Sequence, residues 1–182
     1  MGATTPANPF YNKTYLGTSG LGPNMLLGMV RKVNATGSTK TSTSAAPPSV
    51  GQIGGAVMLC YNDSGGTLVR GQVVSRKVDE TKAHIRACPA NSNAALVSGV
   101  VVAPDGIANG YYGWVAVDGL WYVRAGTGGF TKDNGLIVSA DAGEATDAAA
   151  ATGATFAVAR ETTAENSVGL CEILPRPGVM SV

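Results

Sequence analysis

The chain has 182 residues, with 25 glycines, three cysteines, one histidine, 14% charged residues and a net charge of +1. That length suits one compact domain with appendages. Near-neutral charge argues against a general nucleic-acid binder, and no apolar run reaches the roughly 18 residues of a membrane span. The cysteines show no Cys-x-x-Cys or Cys/His spacing, so neither a zinc site nor a disulfide framework is indicated.

Charge is sparse for a soluble domain, where about 25% is usual. Two readings account for it: a surface covered in an assembly, or simply a small Gly- and Ala-rich β-protein. The distribution is also uneven, with a net +6 before residue 91 and −5 after it. Before Gly51 there are four bases and no acid. A basic, extended segment suits an acidic protein surface or phosphate. It lacks aromatic interleaving and a helical basic stripe, which favours the protein surface.

The opening MGATTPANPF lacks the basic and apolar regions of a signal peptide, and Pro6 stands where myristoylation needs Ser or Thr. A soluble, non-secreted product is expected. Residues 1–23 interleave Pro6, Pro9, Gly17, Gly20, Gly22 and Pro23 with Phe10, Tyr11, Tyr15 and Leu16. Such a segment runs extended, because proline and glycine at this density break a helix. Its aromatics would cover either a neighbouring subunit or the chain's own core. Residues 25–33, MLLGMVRKV, fit one strand or two helical turns. Asn34 to Ser49 is rich in Thr, Ser, Ala and Pro and reads as a linker. Its sixteen residues span roughly 50 Å when extended.

From Gly54 onward the pattern is β. Ala56 to Tyr61 and Leu68 to Val74 flank Asn62-Asp63-Ser64-Gly65-Gly66, predicting a hairpin. Lys82 to Cys88 alternates, with Ala83, Ile85 and Ala87 on one face and His84 and Arg86 on the other. Leu96 to Ala125 holds both tryptophans and three β-type runs, and Asp118-Gly119 predicts a tight turn between the second and third. A three-stranded meander is expected there. Gly126 to Gly129 reads as a loop and Leu136 to Ser139 as a strand. Asp141 to Thr152 fits a turn or two of helix, and Phe156 to Arg160 and Val168 to Leu174 are the last strands. Nine or ten short strands predict an all-β fold: a small antiparallel β-barrel or β-sandwich, β-tulip-like, with an extended N-terminal arm. The domains would be an arm and linker over 1–49 and a β-domain over 50–182.

Catalytic motifs are poor. Asn62 to Gly66 resembles the nucleophile loop of trypsin-like proteases, but Ser64 precedes His84, the reverse of that family's order, and no first barrel stands before it. Gly126-Thr127-Gly128-Gly129 lacks the third glycine of a dinucleotide fingerprint. No catalytic residue, metal ligand or cofactor is expected. His84 reads as an exposed strand residue. Trp114, Trp121 and Tyr122 fit a core better than a sugar-stacking platform. Cys60 and Cys171 lie among apolar residues, as buried reduced thiols do.

Several stretches carry a resemblance. The Ser98-Gly99-Val100-Val101 step, the Gly106-Ile107 turn, Gly113-Trp114-Val115-Ala116-Val117, Leu136-Ile137-Val138 and Gly143 resemble the bacteriophage capsid decoration (cement) protein family. Asn62 to Val74 is similar to that family's opening hairpin, and Gly153 to Ala159 to its late small-residue strand. The likeness covers roughly Gly54 to Leu174.

The resemblance implies a non-enzymatic virion protein on the outer capsid surface, made in the host cytoplasm, in many copies and often trimeric. Its partners would be the major capsid protein and further copies of itself, with no membrane or nucleic acid. Composition alone assigns the shell contact to the arm, through Phe10, Tyr11, Lys13, Tyr15, Arg31 and Lys32. The rival expectation is a module binding a host-surface glycan or receptor, as an adhesin or head-fibre base.

Overall fold

Apolar residues fill both faces of two long strands, and the architecture follows from that. The computed structural model describes residues 30–35, 53–77, 84–91, 96–103, 105–148 and 155–175. Ten strands lie among them: β1 (Val30–Ala35), β2 (Ile53–Asn62), β3 (Val73–Arg76), β4 (His84–Ala87), β5 (Val97–Val101), β6 (Tyr112–Arg124), β7 (Gly135–Val138), β8 (Ala145–Asp147), β9 (Ala157–Ala159) and β10 (Val168–Ile173). The fold is all-β, as the sequence predicts.

The strands form one sheet in the order β1-β2-β4-β3-β5-β6-β10-β9-β7-β8, and a further β2–β6 pairing closes β2, β4, β3, β5 and β6 into a ring. Ring pairings are antiparallel except the β2–β4 seam, where Tyr61 faces His84 and Asn62 faces Ile85.

Because side chains alternate across a strand, β2 and β6 each feed two cores. Ala56, Met58 and Cys60 of β2 meet Val74, Ile85, Val101, Val115 and Val117 inside the ring. Leu68 and Ile107, both buried and bridged to each other, complete that interior. Val57, Leu59, Trp114 and Ala116 point the other way, into a larger core with Trp121, Phe130, Leu136, Phe156 and Ile173 from the second half of the chain. Burying side chains of this size contributes roughly 1.5–3 kcal/mol each, so the two cores hold the ring from both sides.

Asp118-Gly119 is not a hairpin turn. β6 runs unbroken through it for 13 residues. The register of β6 against β2 shifts at Ala56/Val57, so Val117 bulges between Ala116 and Asp118. Gly119 adopts φ 94°, and a Cβ there would lie 2.2 Å from the Gly54 carbonyl oxygen. A Cβ on Gly55 would similarly lie 2.0 Å from the Asp118 oxygen. Glycine serves here for close backbone approach in a kinked strand.

The expected first hairpin does not form either. Both edges of β2 are occupied, one by β6 and the other by β1 and then β4. After Gly66 the chain instead crosses to Ile107, and β3 pairs with β4 and β5. Of the Asp141 to Thr152 helix, the described part is a turn followed by β8, which pairs with β7; residues 149–152 lie outside the described residues. The segment left open between helix and strand is β1 over Val30–Ala35, antiparallel to β2. The end of the expected arm is therefore part of the sheet.

Candidate functional site

Register at the β2–β4 seam determines where polar chemistry gathers. Tyr61 lies beside His84 on β4 and opposite Tyr112 on β6. The Tyr61 and His84 ring centroids are 4.7 Å apart with planes tilted by 44°, and those of Tyr61 and Tyr112 are 4.9 Å apart and tilted by 53°. Three neighbouring strands thus each contribute one half-buried ring to a row. His84 is not the exposed strand residue expected, because its side chain is only 19% exposed.

At the end of this row stands Asp63. Its Oδ2 accepts a hydrogen bond from Lys77 Nζ at 2.7 Å and lies 3.7 Å from His84 Nδ1. The Lys77 bond, with His84 adding to it, holds the Asp63 carboxyl below its ordinary range. Tyr112 is pushed the other way, by burial and by Tyr61 beside it.

The loop that presents Asp63 is fixed from beneath. Asn62 is fully buried, donating from Nδ2 to the Gly66 and Ile107 carbonyls at 2.8 and 2.6 Å and accepting from the Ser64 N–H at 2.9 Å. Gly65 N–H donates to Asn109 Oδ1 at 2.8 Å. The Ser64 hydroxyl donates to the Gly66 carbonyl, so its contacts are local. It is the carboxylate of Asp63 that faces His84, and the geometry of an activated serine is not built here.

Of the expected contact residues, Phe10, Tyr11, Lys13 and Tyr15 lie outside the described residues. Arg31 and Lys32 occupy the middle of β1, opposite Val57 and Ala56. β1 is the first strand of the sheet, paired among the described residues only with β2. The aromatic row of Tyr61, His84 and Tyr112 was not expected as a unit. Its sequence signal is weak, because the parallel pairing that assembles it joins segments 23 residues apart.

Trp114, Trp121 and Tyr122 are 5%, 3% and 4% exposed and belong to the larger core, which removes them as a sugar platform. Arg70 lies over the Tyr122 ring, 5.3 Å from its centroid. Cys60, Cys88 and Cys171 are buried, and none of them is in a disulfide. Among the described residues, no three His, Cys, Asp or Glu side chains are grouped to hold a metal ion, and no helix is long and apolar enough to cross a membrane.

No protein-family model matches the chain, and no curated protein matches it. Among solved structures, the chain is similar to the head fiber gp8.5 N base of bacteriophage phi29. The TM-score is 0.46 at 16% identity, over 65% of this chain and 92% of that one.

Proposed function

We propose that this chain is a structural virion protein that decorates a phage capsid, binding its outer surface and bridging capsomers without catalysis. The observation that carries the reading is β1. Val30–Ala35 join the body as β1, the end strand of the sheet among the described residues, and that strand bears Arg31 and Lys32. A sheet end offers backbone groups for pairing with another chain, and adjacent bases favour an acidic partner surface. The partner is the major capsid protein, with self-association, as a trimer by the sequence resemblance, through the β-body.

Internal pressure pushes capsomers apart, and a ligand that binds only the closed junction stabilises it by mass action. Small contributions suffice when repeated at many junctions. Burial of Trp114 and Trp121 disfavours the part of the rival reading that would place a host glycan on the tryptophans.

The test reverses the β1 charges in the full chain, Arg31→Glu with Lys32→Glu. Added to phage shells that lack it, the natural chain should raise the temperature at which they disrupt, and the variant should lose most of that increase. An equal increase from a folded variant would contradict the assignment of the contact to β1.

A further inference from the structure

The chain contains two Asn-Gly steps, Asn109-Gly110 and Asn134-Gly135, and both asparagines are exposed. We infer that Asn134 is a site of spontaneous deamidation in the folded protein, and that the fold protects Asn109. In this reaction the backbone nitrogen of the following residue attacks the side-chain carbonyl carbon, Cγ, of asparagine. A C–N bond forms, the side-chain nitrogen leaves as ammonia with the proton of the attacking N–H, and a cyclic imide remains. Water then adds to either imide carbonyl and opens the ring to aspartate or isoaspartate. Glycine in the following position favours closure, because the missing Cβ leaves the nitrogen unshielded and the backbone free to turn.

The fold treats the two steps differently. At Asn109 both reacting groups are engaged. Its Oδ1 accepts from the Gly65 N–H at 2.8 Å, and the Gly110 N–H donates to the Asn62 carbonyl at 2.9 Å. Asn62 is itself fully buried and held by three side-chain hydrogen bonds, so small motions release neither group.

At Asn134, among the described residues, no hydrogen bond holds the side-chain amide. Gly135 faces Val158 in the β7–β9 pairing, flanked by the bond from the Ala159 N–H to the Asn134 carbonyl at 2.9 Å. Its N–H therefore points away from β9. Bringing that nitrogen to Cγ turns the peptide between Asn134 and Gly135 and breaks the one bond from Ala159. The contact on the other side, from the Asn134 N–H to the Thr131 carbonyl, is long at 3.2 Å. Packing also requires glycine after Asn134, since a Cβ on Gly135 would lie 2.5 Å from Thr155 Cγ2. The reactive step is thus part of the start of β7. Each event adds one negative charge at neutral pH, where aspartate is ionised. The iso form also inserts a methylene into the main chain where β7 meets β9.

The experiment incubates the full folded chain at mildly alkaline pH and follows both asparagines by tryptic mapping with mass spectrometry, which reads the gain of about 1 Da as NH₂ becomes OH. Asn134 lies in the fragment from Asp133 to Arg160, and Asn109 in that from Ala87 to Arg124. In the folded chain Asn134 should convert at least tenfold faster than Asn109, and in urea the two rates should come within a few-fold of each other. Asn134→Gln, at an exposed turn position, should remove the main acidic species that accumulates on ion exchange. The inference is overturned if Asn134 in the folded chain converts no faster than Asn109, or if the acidic species persists in Asn134→Gln. A tenfold preference that survives in urea would overturn it too, by assigning the difference to local sequence. It stands independently of capsid binding.

Discussion

Asp141 shows how single carboxylates fix the loops of a chain so rich in glycine. Its Oδ2 accepts from both the N–H and the hydroxyl of Thr127, at 2.9 and 2.6 Å. The Thr127 hydroxyl, then the Thr127 N–H, holds the Asp141 carboxyl below its ordinary 3.8. A folded-state value below the unfolded one means the stabilisation is complete above the unfolded value and lost as pH falls through the folded value. The melting temperature of the natural chain should therefore exceed that of Asp141→Asn at neutral pH, and the gap should close on acidification below about pH 3.8. A gap independent of pH would contradict the ionic account. Cys60 illustrates the opposite shift. Burial pushes its thiol up to about 12, so the reactive thiolate is scarce at neutral pH. An aromatic disulfide reagent should leave all three cysteines of the native chain unmodified and titrate three thiols after denaturation, since all three are buried. Rapid reaction of the folded protein would show that this part of the core opens.

At the scale of elements, strand composition was legible and strand partnership was not. Lys82 to Cys88 alternates as a half-buried strand, and β4 shows it, with Ile85 inside and Arg86 outside. Leu136 to Ser139 and Val168 to Leu174 likewise coincide with β7 and β10. Both predicted tight turns failed for one physical reason. Gly119 can take a positive φ in a hairpin or in a kinked strand, and only its distant neighbour Gly54 decides which. The loop after Asn62 is set by a hydrogen bond to Ile107, 45 residues away. The aromatic row depends in the same way on a two-pair parallel seam, which no local period encodes. The kink yields a sharp expectation. Gly119→Ala should destabilise the fold by roughly 2 kcal/mol or more, combining strained φ with a backbone clash. Gly128→Ala has a comparable φ of 86° but open space, so it should lose only the conformational part. Equal losses, measured by denaturant unfolding, would remove the argument from close approach.

At the scale of the molecule, a ring with an apolar interior is backed by a second core, and β1, paired with β2, bears Arg31 and Lys32. A body braced on both faces suits a part that must transmit load between neighbours, because close-packed cores resist deformation. If the proposed shell contact runs through Arg31 and Lys32, it is electrostatic in part, and binding should weaken as added salt shortens the Debye length below about 8 Å, its value near 0.15 M. The most direct measurement is co-sedimentation of the full chain with phage shells assembled without it, scored for copies bound per shell. Saturable binding at many copies in a fixed ratio to the major capsid protein is the expected result. No co-sedimentation, or a few copies per shell, would contradict a decorating role.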